Sequence, residues 1–449
     1  MTNKTQESKP TGVSHWTKQA GEADAEAFWQ WAWVEPTLWT PRRLTALEQG
    51  VKGGQWFSLI DKLYTWPALT AAFDKVAANQ GAAGVDQVTS EMFATNLDAN
   101  LRRLAEQLRD GTYRPQAIRR VWIPKAGSSE KRLLGIPTVR DRVVQAALRA
   151  LLEPLFERDF AEHSYGFRPE RGAKDALRRV DELLKAGYTF VVDADLQSYF
   201  DTIPHAPMLA LVEKKVADGR VLSLVRAFLE QGVMSEQGIE EPETGTPQGA
   251  VLSPLLSNIY LDPLDRLIAG RGREMVRYAD DFVILCRSQA EARAALDCVK
   301  DWTTRVGLKL HPEKTHVVDA TQAGGFDFLG YHFERGYKWP RTKSLKKLKD
   351  RLREQTPRTS GESLDEIIRR VNQTLKGWFE YFKHSHKTTF PRLDCWLRMR
   401  MRSILRKRAG GQGVGKGRDH YRWPNAYFAA RGLFNLSAAH AQARSILQR

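Results

Sequence analysis

The most informative feature of the chain is the tetrapeptide at residues 278–281, Tyr-Ala-Asp-Asp, which places two carboxylates side by side. The flanking residues are rich in the types that fill half-buried strands, so the sequence predicts a β-hairpin with Asp280 and Asp281 at its tip. Two adjacent carboxylates at such a tip can hold divalent cations. Two-metal nucleotidyl transfer needs that charge, because the two ions clamp the attacking and leaving oxygens. A merely solvated acidic turn is the alternative.

A third carboxylate follows another predicted strand. Residues 188–192, Tyr-Thr-Phe-Val-Val, have the composition of a buried strand and run directly into Asp193 and Asp195. A carboxylate at the end of an apolar strand resists burial without a partner, and a metal ion shared with Asp280 and Asp281 would supply one. An aspartate that caps the following turn is the alternative.

Helices and strands are predicted to alternate around these acids. A helix with apolar residues at steps of three and four precedes the first acidic strand and ends near Gly187. A second helix, residues 289–306, follows the hairpin and ends before Gly307. Helices mixed with strands and a short antiparallel hairpin predict an α+β layer.

Further sequence blocks occur in the order found in group II intron-encoded reverse transcriptases, and the two acidic segments resemble motifs A and C of that class. The resemblance covers residues from about 50 to 440. The other blocks are a fingers motif at 123–125 and 131–138, the block at 164–169, motif B at 246–258, motif D at 312–315, a primer-grip motif at 326–330, and the closing signature of the maturase domain at 422–428.

The resemblance implies an α+β right-hand polymerase, with fingers and palm, followed by an all-α, basic thumb or maturase (X) domain. The expected divisions are an N-terminal extension at 1–45, fingers at 46–140, a palm with the catalytic site at 141–335, and the thumb at 336–449.

The resemblance also selects the catalytic acids. The metal ligand of motif A stands five positions before an aromatic residue, which selects Asp195, with Asp193 and Asp201 as competitors. Asp195, Asp280 and Asp281 are then the catalytic residues and the ligands of two Mg²⁺ ions, for which Mn²⁺ can substitute.

Five residues are assigned to the incoming nucleotide by the same resemblance. Lys125 and Arg132 would hold the triphosphate, which suits a point charge and a guanidinium fork. Phe200 would lie beneath the sugar and exclude a 2′-hydroxyl by its bulk. Gln248 would pack near the nascent base pair, and Lys314 is a candidate acid for protonating pyrophosphate. The alternatives are solvated surface for the basic residues and a core position for Phe200.

Positive charge is concentrated in the C-terminal part of the chain. The whole sequence carries +16, and residues 338–449 contain 27 Lys or Arg against 8 Asp or Glu, about +19. Such an imbalance predicts a nucleic-acid partner. Arg398, Arg402 and Arg406 stand at i, i+4 and i+8 and are expected to face outward as a row that binds nucleic acid. Arg168 is expected to contact a nucleic-acid backbone.

Cysteine use and hydropathy narrow the class of protein. Cys286, Cys298 and Cys395 are isolated, so neither a disulfide framework nor a zinc site is predicted, and the first two are expected in the core. No run of 18 apolar residues is present, so no membrane association is expected. The N-terminus lacks an export or organelle signal, which favours the bacterial cytoplasm.

The function predicted is an RNA-directed DNA polymerase of a group II intron that also acts as a maturase. Its expected partners are structured intron RNA, an RNA template with a DNA primer, dNTPs and target DNA, and the sequence leaves the oligomeric state open. No endonuclease domain is expected after the thumb, which leaves second-strand priming to other means. The alternatives are a domesticated relative working in DNA repair or phage defence, and a non-catalytic RNA-binding splicing factor.

Overall fold

The computed structural model describes residues 29–124, 131–235, 238–240 and 242–447. Lys125 lies outside these residues, and only the backbone of Arg132 is described. After a 3₁₀ turn at Trp29–Trp31, the first part of the chain has five helices and a β-hairpin. They are α1 Pro41–Gln49, α2 Ile60–Leu63, α3 Trp66–Ala78, α4 Ser90–Thr95, α5 Leu97–Asp110, β1 Ile118–Pro124 and β2 Lys131–Ile136.

The central part mixes helices and strands, as the sequence predicts. Its elements are α6 Val139–Glu157, α7 Ala173–Lys185, β3 Phe190–Asp195, α8 Tyr199–Thr202, α9 His205–Glu213, α10 Gly219–Leu229, β4 Val233–Ser235, β5 Gly238–Glu240, α11 Ser253–Ala269, β6 Glu274–Tyr278, β7 Asp281–Cys286, α12 Gln289–Arg305, β8 His316–Asp319, β9 Phe326–Phe328, β10 Tyr331–Glu334 and β11 Tyr337–Pro340.

The C-terminal part is helical. Ser363 stands three residues before Glu366, the spacing of a capping box. Its Oγ accepts from Glu366 N at 3.1 Å and so caps the long second helix. The helices are α13 Thr342–Gln355, α14 Leu364–Phe382, α15 Thr389–Arg408, α16 Asp419–Arg422, α17 Asn425–Ala430 and α18 Leu436–Leu447.

The strands form three sheets. The fingers sheet has the order β2-β1-β4-β5, the palm sheet β6-β7-β3-β8, and the primer-grip sheet β11-β10-β9. In the palm sheet, β3 pairs antiparallel with both β7 and β8. The structure is therefore a fingers and palm arrangement followed by a helical thumb, as the resemblance implies.

Side chains of β3 and β7 alternate between two cores. Val192 and Ile284 pack with the helices of the fingers and palm, whereas Val191 and Val283 pack with α7 and the primer-grip sheet. Because the period of a strand is two, Asp195 and Asp281 lie on the side of Val191 and Val283. The acids thus face the primer-grip sheet.

The thumb has its own core, built around residues such as Ile367, Phe390 and Met401. Cys286 and Cys298 are buried in the large core, as predicted, and Cys395 is exposed. Among the described residues, no helix combines the length and apolarity that crossing a membrane would require.

Candidate active site

The first two acids meet through strand register. Asp195 is the last residue of β3 and stands directly opposite Asp281, the first residue of β7. Side chains of residues directly opposite on antiparallel strands leave the same face of the sheet, with Cβ atoms about 4.5–5.5 Å apart. The structure therefore brings Asp195 and Asp281 together, although 85 residues separate them in the chain.

The third acid lies in the hairpin turn. Tyr278 pairs with Asp281, which leaves Ala279 and Asp280 as a two-residue loop between β6 and β7. Ala279 has φ +60°, and two-residue hairpin loops need a positive φ at their first position. The predicted hairpin is confirmed, and Asp280 and Asp281 are at its tip.

A buried arginine, Arg277, is hydrogen-bonded to this turn. Arg277 is fully buried, and its guanidinium donates to both carboxylate oxygens of Asp265 at 2.6–3.1 Å. Its Nη1 also donates to Asn258 Oδ1 at 3.0 Å and to the carbonyl of Ala279 at 2.8 Å. The strained residue of the turn is thereby tied to helix α11, on which Asp265 and Asn258 lie.

Gly166 completes the support of the turn. Its carbonyl accepts from Asn258 Nδ2 at 2.8 Å, and a Cβ at position 166 would lie 2.1 Å from the nitrogen of Ala279. No side chain fits between the two backbones, so glycine is required by this close approach.

Burial and the repulsion of neighbouring carboxylates raise the pKa values of Asp193, Asp280 and Asp281. Burial, followed by the charges of Asp280 and Asp195, raises the pKa of Asp281 to about 7. Burial is also the first cause of the raised pKa of Asp280, to which Asp195 contributes. Asp193, two residues before Asp195, has its pKa raised to about 7 by burial and by Asp281, Asp327 and Asp195. A cation placed among these carboxylates would offset the repulsion.

Lys314 supplies a cation at this site. Its Nζ lies 2.7 Å from Asp195 Oδ2, and the side chain is 60% exposed. The backbone brings it there, because His311 N donates to the carbonyl of Asp195 at 2.8 Å and Gln197 N to that of Lys309 at 2.8 Å. Segment 309–314 therefore runs alongside the residues that follow β3.

The donor set fits divalent cations, since carboxylate oxygens are the ligands that Mg²⁺ and Mn²⁺ prefer. Within the described residues, no group of three or more His, Cys, Asp or Glu side chains is already gathered at metal-binding spacing. The fit rests on the opposed pair Asp195 and Asp281, on Asp280 beside them, and on the burial and repulsion that raise the pKa values of Asp280 and Asp281.

The expected nucleotide residues lie on segments that touch one another. Phe200, half-buried on α8, accepts with its carbonyl from Thr246 N at 2.7 Å, which ties motif A to the motif B loop. The carbonyl of Gln248 accepts from Gly135 N at 2.8 Å, and Gly135 lies on β2, the strand of Arg132. The structure thus places Phe200, Gln248 and the backbone of Arg132 on adjoining segments.

Arg168 does not fit its expected role. Its guanidinium is buried, donates to both carboxylate oxygens of Glu157 at 2.7–3.0 Å, and also donates to the carbonyls of Ala161 and Ser164 at 2.6 and 2.8 Å. A guanidinium occupied in this way cannot reach a nucleic-acid backbone. The expectation is corrected: Arg168 holds the segment that leads into Gly166.

The expected outward row on α15 is wrong at Arg402 and Arg406. Arg402 is buried: its Nε donates to the carbonyl of Trp423 at 2.9 Å and its Nη2 to Asn425 Oδ1 at 2.7 Å. Arg406 is paired with Asp419 at 2.6 Å, and Arg398 is half-buried. The segment after α15 folds back over this face of the helix, which a spacing of four residues cannot reveal.

Sequence reasoning missed the residues that hold the active-site turn. Arg277 resembles a polar interruption of a strand, and Asp265 lies on a helix 12 residues earlier. An arginine in an otherwise apolar strand is the one feature that could have indicated a buried ion pair.

Hydrogen bonds also link the thumb to the primer-grip motif. Tyr381 Oη on α14 donates to the carbonyl of Leu329 at 2.7 Å, and Tyr331 Oη donates to the carbonyl of Tyr381 at 2.6 Å. Leu329 and Gly330 both have positive φ and form the two-residue loop between β9 and β10. The backbone of Leu329 also acts on Asp281, where it moderates the rise in pKa caused by burial and by the neighbouring carboxylates.

Comparison with known families gives two matches along the chain. Residues 123–333 match the family described as reverse transcriptase (RNA-dependent DNA polymerase). Residues 345–422 match the maturase-specific domain of group II introns. Reverse transcriptases generally use divalent metal ions and act on nucleic acid.

Curated relatives agree with these matches. Protein YkfC of Escherichia coli (strain K12) is 32% identical over 344 residues, which cover 68% of this chain and 86% of the relative. The group II intron-encoded protein LtrA of Lactococcus lactis subsp. cremoris is 36% identical over 199 residues, 44% of this chain and 33% of LtrA. The chain thus matches most of one relative and about a third of the other. It belongs to the family of group II intron-encoded reverse transcriptases and maturases, whose polymerase domain is an RNA-directed DNA polymerase.

Proposed function

We propose that this chain copies RNA into DNA at the site formed by Asp195, Asp280 and Asp281. The observation that carries the proposal is the register of the palm sheet, in which Asp195 stands opposite Asp281 with Asp280 in the adjoining turn. These three acids would hold two Mg²⁺ ions, with Mn²⁺ as a substitute. When bound, the ions would lower the pKa of the primer 3′-hydroxyl and neutralise charge on the departing pyrophosphate.

Residues of the chain itself would position the substrates. Phe200 would limit space at the 2′ position of the incoming sugar and so select dNTPs. Gln248 would pack beside the nascent pair, and Lys125 and Arg132 would hold the triphosphate. Lys314 would donate a proton to pyrophosphate, which requires it to leave the carboxylate of Asp195 first.

The proposed biological role is that of a maturase as well as a polymerase. Its partners would be structured intron RNA, an RNA template with a DNA primer, dNTPs and the target DNA. The excess of positive charge in residues 338–449 and the maturase-specific match at 345–422 support this role.

Primer extension tests the polymerase. Purified protein with poly(rA)/oligo(dT), dTTP and Mg²⁺ should incorporate dTMP, and Asp281→Asn should reduce the rate by about 10³-fold, as expected for losing several kcal/mol of transition-state stabilisation. Folded wild-type protein that incorporates nothing would favour the RNA-binding splicing factor.

A substitution at Phe200 tests the nucleotide pocket. Phe200→Val should increase incorporation of UTP relative to dTTP on the same template, because the smaller side chain leaves room for a 2′-hydroxyl. An unchanged preference would place Phe200 in the core alone.

A further inference from the structure

Trp396 on α15 is surrounded by three cations. Lys349 Nζ, Arg353 Cζ and Arg400 Cζ lie 5.8, 5.7 and 5.5 Å from the centre of its ring. Lys349 and Arg353 are one turn apart on α13, and Arg400 is one turn after Trp396 on α15. The indole face attracts cations, so the ring gathers positive charges that would otherwise repel one another.

Carboxylates do not balance this charge. Within the described part of the thumb, Arg353 is paired with Asp350, but Lys349, Arg358 and Arg400 form no ion pair. Burial, and after it the charges of Arg353 and Arg358, lower the pKa of Arg400. Four cations therefore share one carboxylate, which is unlike the interspersed signs of an ordinary protein surface.

A cavity of about 270 Å³ opens beside the cluster. Arg358 and Arg400 both line it, with the remaining wall formed by Thr356, Met399, Ser403 and Val414. The volume is below that of sites for drug-sized ligands and suits a small group such as phosphate.

The guanidinium of Arg400 is fixed in place at this cavity. Its Nε donates to Thr356 Oγ1 and its Nη2 to the carbonyl of Thr356, both at 2.8 Å. Its Nη1 donates to no described residue. One edge of the fork is thus anchored and the other is available, which is the arrangement that recognises an oxyanion without reorganisation.

We propose that Lys349, Arg353, Arg358 and Arg400, termed here the Trp396 cation site, bind a backbone phosphate of RNA. The inference rests on the proposed maturase role, since that role brings RNA to the thumb. A phosphate would neutralise the cluster, accept from the free edge of Arg400 and fit the adjoining cavity. The site takes over the role that the sequence assigned to the row at Arg398, Arg402 and Arg406.

RNA binding tests the site directly. The double variant Lys349→Gln/Arg358→Gln removes two unpaired cations and leaves the anchor at Thr356 intact. Fluorescence anisotropy with a labelled RNA hairpin, over a series of KCl concentrations, should show about tenfold weaker binding and a salt slope smaller by about 1–2. The matched control Lys376→Gln/Lys387→Gln removes the same charge from exposed thumb lysines that form no ion pair with described residues, and it should change the slope less.

The results of these assays distinguish a specific phosphate site from diffuse electrostatic attraction. A wild-type slope in the double variant, or equal loss in both pairs, would overturn the site and leave only diffuse electrostatic attraction. Arg400→Lys gives a second measurement, because it keeps the charge and loses the fork, and the variant should bind RNA more weakly while circular dichroism shows that it is still folded. The assay needs neither primer nor dNTP, so an inactive polymerase does not affect it. Wild-type protein that binds no RNA would instead refute the proposed maturase role.

Discussion

Lys314 forms an ion pair with Asp195, with Nζ 2.7 Å from Oδ2, at the same carboxylate that stands opposite Asp281. A cation from the chain therefore occupies a position that the proposed metal ions would need. Binding of metal and release of Lys314 are coupled by this geometry, because an ammonium group and a divalent cation at the same carboxylate repel each other.

Replacing Lys314 should strengthen metal binding and weaken catalysis. Lys314→Met removes the competing ammonium, so the free protein should bind Mn²⁺ about tenfold more tightly, as measured by the electron paramagnetic resonance of free Mn²⁺. Its dTMP incorporation at saturating metal should fall, since the proton donor is lost. Mn²⁺ affinity equal to that of the wild type would contradict the competition.

The raised pKa of Asp281 predicts a pH-dependent change in stability. With the pKa at about 7 in the folded protein and 3.8 ordinarily, the folded state binds the proton more tightly, so stability falls as pH rises between these values. Asp281→Asn removes this cost. Without divalent metal at pH 8, the variant should melt at a higher temperature than the wild type, because its free energy of unfolding is larger by on the order of 1 kcal/mol or more. The difference should vanish as the pH falls to about 3.8, the ordinary pKa. A gain that is equally large in acid would be inconsistent with titration of Asp281.

Gly166→Ala should displace the active-site turn. The new Cβ would lie 2.1 Å from the nitrogen of Ala279, so the backbone that carries Asp280 must move. A shift of about 1 Å can reduce a catalytic rate by about 10²-fold, and primer extension should detect it. Gly219→Ala is the control, because a Cβ there meets no atom within 4 Å. Equal activity of the two variants would argue against this role.

Breaking the ion pair beneath the turn should destabilise the fold. Arg277→Met leaves Asp265 buried and without its cation, at a cost of about 3–5 kcal/mol in the free energy of unfolding. Arg178→Met breaks an exposed pair with Asp175 instead and should cost less than about 1 kcal/mol. Urea unfolding of both variants distinguishes them.

Arg168→Gln should reduce stability without changing RNA affinity. The substitution removes the buried pair with Glu157, which should lower the free energy of unfolding by about 3 kcal/mol. Because the side chain does not reach the surface, the salt slope of RNA binding should equal that of the wild type. A smaller slope in the folded variant would restore the original expectation of a nucleic-acid contact.

Local patterns in the sequence predict the catalytic elements well. The apolar strands, the hairpin at Asp280 and Asp281 and the helix cap at Ser363 are fixed by residues close to one another in the chain, and the structure contains each of them. The cost of an unpaired carboxylate at a strand end suggests that Asp195 meets Asp281, but only the family resemblance selects this pair, since strand pairing over 85 residues leaves no local trace.

Side-chain partners distant in the chain account for the errors. Arg168 was expected to contact nucleic acid as part of the block at 164–169, and Arg402 was expected to face outward from its helical spacing with Arg398 and Arg406. Each is instead enclosed by backbone carbonyls, those of Ala161 and Ser164 in one case and that of Trp423 in the other. Helical spacing identifies residues that share a face, but it does not tell whether a later segment covers that face.

The hydrogen bonds of Tyr381 join the thumb helix α14 to the primer-grip sheet, two regions that are separate in the sequence. Its hydroxyl donates to the carbonyl of Leu329, and its carbonyl accepts from the hydroxyl of Tyr331. The backbone of Leu329 in turn moderates the raised pKa of Asp281. Any tilt of α14 must either break these bonds or carry the loop at Leu329 with it. The position of the thumb helix and the surroundings of Asp281 are therefore linked through this one loop.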